Sequence, residues 1–89
     1  MYLGKVIGNV VSTHKDDRLV GCKLLIVKKL DEHENEIGSM FVAVDTVGAG
    51  IGEKVLIITG SGARMLEDNR VAPIDASIVG IVDYIEVDN

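Results

Sequence analysis

The chain reads as an all-β protein in which five short strands and one short helix close into a small barrel. Three features predict this. Valine and isoleucine gather in five short runs, and β-branched residues suit a pleated, half-buried strand. Polar and glycine-rich breaks separate those runs at short intervals. The length of 89 residues admits one small domain, taken as 1–89, and a single core.

The first strand is expected over residues 2–12, where Val6, Ile7, Val10 and Val11 are interrupted by Gly4 and Gly8. Glycine inside a strand marks a bend, a bulge or a close backbone approach, and small barrels use such bends to close. Residues 13–18 are polar and charged and read as a loop. The second strand covers 21–30, with 24–27 as its apolar centre. The acidic stretch DEHENEIG (31–38) reads as a solvated hairpin turn into a third strand over 40–47. A glycine loop, 48–52, leads to the fourth strand, 53–59. Ser61 is a candidate N-cap for a short helix over 61–67. Residues 68–72 are polar loop, and Pro73 opens a turn over 73–76. The fifth strand runs over 78–87. Five strands and a helix in this order suggest a closed or nearly closed antiparallel barrel of OB-like shape.

Composition narrows the function. Net charge is −5 and the isoelectric point about 4.8, which opposes a nucleic-acid role built on a basic face. Tyr2, Phe41 and Tyr84 are the only aromatic residues, too few for a stacking platform. Cys22 is the single cysteine and His14 and His33 the only histidines, so neither an intrachain disulfide nor a metal site is expected. The N-terminal residues lack the pattern of a signal peptide, and no apolar run approaches the ~20 residues of a membrane helix. A soluble, cytoplasmic protein is expected.

Residues 55–58 (VLII) are apolar without alternation, and 24–27 and 78–82 come close to the same pattern. Successive strand residues point to opposite faces, so such a strand needs cover on both sides. A domain of this size buries only about 60–65% of its unfolded surface, leaving a marginal core. Small folds compensate with disulfides, metals or oligomerisation. With the first two excluded, association with further copies is the expected source of cover.

Candidate chemical sites all have plainer readings. Gly48, Gly50 and Gly52 give GxGxG followed by a strand. A dinucleotide fingerprint needs GxGxxG opening a helix, whose N–H groups meet the phosphate. The loop reads instead as a tight turn, or as bare backbone that a neighbouring protein can approach. Gly60, Ser61, Gly62 and Arg64 form a second loop, whose Ser-capped helix start beside Arg64 could hold an anion; the favoured expectation pairs Arg64 with a local acid such as Asp75 or Asp83, or has it grip a neighbouring subunit. Asp45, Asp75 and Asp83 lack the nucleophile, metal and cleft that catalysis requires, and are read as caps and turn stabilisers. No catalytic residue, cofactor or metal is expected. The alternative to an assembly protein is an OB-type module for a small ligand or single-stranded nucleic acid.

Five segments in order then carry a specific resemblance: LGKVIGNVVSTHK (3–15), GCKLLIV (21–27), VAVDTVGAGIGEKVLI (42–57), GSGAR (60–64) and PIDASIVGIVD (73–83). Together they resemble the bacterial microcompartment vertex proteins, the pentameric shell family with carboxysome and ethanolamine-compartment members. The resemblance covers nearly the whole chain. It implies a small β-barrel assembling as a cyclic homopentamer, a structural role at the five-fold corners of a shell, and no enzymatic activity. Hexameric or pseudohexameric shell proteins would be its partners. It places Gly48, Ala49 and Gly50 at the edge facing the hexameric tiles. Gly60, Ser61, Gly62 and Arg64 would lie at the subunit junction or a central opening.

Overall fold

The computed structural model describes residues 1–11, 21–60 and 75–88. The elements among them are five strands: β1 (Tyr2–Asn9), β2 (Lys23–Leu30), β3 (Glu36–Asp45), β4 (Lys54–Thr59) and β5 (Ala76–Val82). They close into a barrel in the order β1-β2-β3-β5-β4, with β4 pairing back to β1. The short helix expected over 61–67 lies outside the described residues, as do Pro73 and its turn. None of the described elements is a helix.

The expectation of a wholly antiparallel barrel is corrected at one seam. β3 and β5 run parallel, joined through Val44 with Ser77 and Asp45 with Ile78, and the other four pairs are antiparallel. The reason is arithmetic. Directions cannot alternate all the way round a closed ring with an odd number of strands, so one seam must be parallel. It is also the shortest ladder, and the Thr46 hydroxyl donates across it to the Ile78 carbonyl (2.8 Å).

Strand ends follow their partners. β3 begins at Glu36, not residue 40, because Leu30 on β2 pairs with Glu36 and draws the acidic turn in to residues 31–35. β5 stops at Val82, not 87, because its partner β4 begins at Lys54, opposite Val82. β1 ends at Asn9, not 12, although Val10 N–H still donates to Leu24 O (3.0 Å).

The core is aliphatic. Val6, Leu25, Val27, Ala43, Val55, Ile57, Ala76 and Ile78 come from all five strands and are joined by Ala49 from the β3–β4 loop. Tyr2 and Phe41 pack against its edge in a T-shaped contact, ring centroids 5.6 Å apart. The VLII run obeys the strand period after all: Val55 and Ile57 are fully buried, while Leu56 and Ile58 are half-buried on the other face.

Glycines set the curvature as expected. Gly8 follows a register shift in the β1–β2 ladder, and Gly80 sits beside another in β4–β5, where Val79 has no partner. Such bulges bend a strand and sharpen its twist. At Gly4 a methyl group would lie 2.5 Å from the end of the Ile57 side chain (Cδ1) and 3.1 Å from the Lys28 carbonyl oxygen, so a side chain there would have to displace Ile57 in the core.

Candidate assembly site

The loop joining β3 to β4 is built around one carboxylate. Asp45, the last residue of β3, accepts hydrogen bonds from the N–H groups of Val47 (3.0 Å), Gly48 (3.1 Å) and Ala49 (2.8 Å). Its side chain is 1% exposed, and the Lys23 ammonium stands 3.7 Å away. The capping role expected for Asp45 is what the structure shows. Three N–H groups leaving the ladder are satisfied by one buried acceptor, whose charge strengthens each bond.

The predicted loop residues have different roles. Gly48 is exposed and left-handed (φ 83°), as is Gly52 (φ 91°), so both meet the expectation of a turn needing glycine. Gly50 has no positive φ; its N–H donates to the Glu53 carboxylate (2.6 Å). Ala49 is fully buried in the barrel core and plugs one end. Its carbonyl accepts a hydrogen bond from Lys23 Nζ (2.9 Å). The loop is therefore bolted from within by Ala49 and from outside by Lys23, while Gly48 and Ile51 face solvent. Sequence reasoning missed Lys23, and no local pattern could have found a contact spanning 26 residues of chain.

Gly60 lies at the end of β4, and its N–H donates to the Asp75 carbonyl (3.2 Å). Both residues line an open notch of about 520 Å³ with Tyr2, Phe41 and Thr59. Burial first, then the Asp75 carboxylate, push the Tyr2 hydroxyl above its usual range. Lys29 Nζ lies 5.0 Å from the centre of the Tyr2 ring, a cation–π distance. Ser61, Gly62 and Arg64 lie outside the described residues, and so does the expected pairing of Arg64 with Asp75 or Asp83. His14 also lies outside them. His33 is exposed at the hairpin tip and Cys22 is half-buried. Among the described residues no three His, Cys, Asp or Glu side chains are grouped to hold a metal ion.

Part of the barrel's outer surface is apolar. Ile7, Val42 and Val79 are each at least 40% exposed. Val42 pairs with half-buried Ile26, and Leu56 pairs with half-buried Leu3. A closed, filled barrel thus carries a second aliphatic layer on its exterior, as the two-faced strands predicted.

Comparison with known proteins gives this surface its context. Residues 1–83 match the family model described as "Ethanolamine utilisation protein EutN/carboxysome". The chain belongs to this family. It is 54% identical over 89 residues to the bacterial microcompartment shell vertex protein GrpN of Rhodospirillum rubrum, covering 100% of both chains. The solved pentameric shell protein GrpN superimposes with a TM-score of 0.89. The carboxysome shell vertex protein CcmL of Synechococcus elongatus is 45% identical over 89 residues, covering 100% of this chain and 90% of the relative. The CcmL structure from Gloeobacter violaceus gives a TM-score of 0.92 at 42% identity, covering 100% of this chain and 92% of that one. These relatives are structural shell proteins, not enzymes.

Proposed function

We propose that this chain, acting as a single vertex domain over 1–89, forms a homopentamer. The pentamer caps the five-fold corners of a polyhedral microcompartment shell in the bacterial cytoplasm. The aliphatic exterior of the closed barrel carries this reading. Ile7, Val42 and Val79 stay exposed after the core is complete, and burying a side chain of this kind contributes roughly 1.5–3 kcal/mol. A five-fold ring buries the same patch pair at every junction and closes on itself. Family membership and the pentameric relatives support this stoichiometry.

Hexameric or pseudohexameric shell proteins are the proposed neighbours. The Gly48–Ala49–Gly50 turn is the proposed tile contact, with Ala49 anchoring it and bare backbone at Gly48 and Gly50 offered outward. Gly60, Ser61, Gly62 and Arg64 are proposed to meet at the subunit junction or central opening. Native mass spectrometry of the purified protein at micromolar concentration tests the central statement. A five-chain particle is the expected result, and a stable monomer overturns it.

A further inference from the structure

Cross-strand register sets three lysines side by side. Lys5 on β1 is the direct partner of Lys28 on β2 and of Lys54 on β4. Directly paired residues share one face of a sheet. Their neighbours Gly4, Val6, Val27 and Val55 are buried inside the barrel, so the lysines stand on its outer surface. Like charges placed opposite one another destabilise a sheet. A chain of net charge −5 nonetheless puts three of its nine basic residues in one row.

Two of the three have occupied ammonium groups. Lys28 Nζ donates to the Gly38 carbonyl (2.6 Å), and Lys54 pairs with the Glu34 carboxylate. Lys5, in the middle, has no ion pair or side-chain hydrogen bond among the described residues. The row is bordered by the half-buried pair Leu3 and Leu56, and by Val82 beside Lys54.

The complementary chemistry is in the same chain. Beyond β5, Asp83, Glu86 and Asp88 are exposed and make no ion pair among the described residues. Tyr84 is 71% exposed and Val87 43%. In extended backbone Glu86 and Asp88 project to one side, about 7 Å apart. Three adjacent strands spaced ~4.8 Å apart hold the backbones of the outer lysines ~10 Å apart, so two carboxylates ~7 Å apart fall within the span of the row. Residue 83 emerges next to Lys54, yet among the described residues no ion pair joins the segment to the row of its own barrel.

We infer that the row Lys28–Lys5–Lys54 is a docking strip for the acidic segment 83–88 of a neighbouring copy, with Glu86 or Asp88 meeting the Lys5 ammonium at its centre. This rests on the ring reading above. A ring junction is heterologous, so it joins two different patches of one chain. The strip and the segment are such a pair, opposite in charge and each flanked by exposed or half-buried aliphatic surface. Cover by the neighbour would also weaken the screening that makes exposed ion pairs worth little.

The test uses the full chain, prepared with light and heavy nitrogen, unfolded together and refolded, with native mass spectrometry verifying mixed rings. A zero-length carbodiimide then joins lysines to touching carboxylates. Isopeptide links from Lys5 or Lys28 to Glu86 or Asp88 that join a light peptide to a heavy one are expected. Links confined to one isotope overturn the inference, as does the absence of links from 83–88 in verified mixed rings. In shells assembled with hexameric tiles, links from Lys5 to a tile in place of 83–88 also overturn it. Independently, Lys5→Glu should weaken the ring at least tenfold, and adding Glu86→Lys with Asp88→Lys should restore it. A Lys5→Glu ring as tight as the parent overturns the strip. A parent protein that is itself monomeric fails the ring reading, and native mass distinguishes that failure before any variant is made.

Discussion

Single atoms decide the β3–β4 loop. Asp45 satisfies three N–H groups with one carboxylate, and the methyl group of Ala49 fills the barrel end. Gly48, Gly50 and Gly52 look equivalent in the sequence, but the backbone path separates them. Gly48 is left-handed, and a methyl group added there would meet nothing within 4 Å, so Gly48→Ala brings conformational strain and no clash. The expected cost is about 1–2 kcal/mol. At Gly50 the nearest atom is Glu53 Oε1 at 3.3 Å, the end of an exposed and flexible side chain. Gly50→Ala should therefore cost less than Gly48→Ala. Denaturant midpoints at one fixed protein concentration compare the two, since stability and assembly are linked; an equal or larger loss at Gly50 contradicts the assignment. Left-handed strain therefore does not explain an assembly defect of a β-branched residue at Gly50, which leaves a displaced Glu53 carboxylate or a blocked contact as its cause.

At the scale of the elements, the strands themselves were legible because their signals are local. β-branched runs, interior glycines and the acidic turn each sit within a few residues of chain. The ends were not, because a strand stops where its partner stops, and the partner of Val82 at the end of β5 is Lys54, 28 positions upstream (82 − 54). The parallel seam follows from the odd strand count of a closed ring, a property of the whole barrel that no single strand pair carries. The hairpin turn between β2 and β3 gives this scale its prediction. Asp31 Oδ1 accepts from the N–H groups of Asn35 (2.9 Å) and His33 (2.8 Å). The bond from Asn35 comes first among the causes holding the Asp31 carboxyl below its usual range, and the bond from His33 adds to it. The folded value lies below the unfolded one, so the turn gains stability above the unfolded pKa and loses it as pH falls through the folded value. Amide exchange at His33 and Asn35 should accelerate relative to the rest of β2 and β3 on acidification through that range. Asp31→Asn should remove the pH dependence, and a parent turn that responds no differently from the Asn variant would refute the coupling.

For the whole molecule, the question is why a barrel with a complete interior keeps a second aliphatic layer outside. Stability of the single chain gives little reason, since Ile7, Val42 and Val79 stay at least 40% exposed there. Assembly does, and it predicts that inner and outer residues fail differently. Val55 and Val42 are both apolar strand residues, but Val55 is fully buried and Val42 is 43% exposed. Val55→Asp puts an unpaired carboxylate into the core and should unfold the chain. Val42→Asp leaves that charge in water until a neighbouring copy covers it. The far-ultraviolet circular dichroism of Val42→Asp should match the parent, while its mass at micromolar concentration falls from five chains to one. If Val42→Asp instead keeps the five-chain mass, Val42 lies outside the subunit junctions, and the exterior layer there must serve the contact with shell tiles or none at all. If it unfolds as Val55→Asp does, the division between inner and outer layers is wrong, and with it the physical basis for reading this surface as an interface.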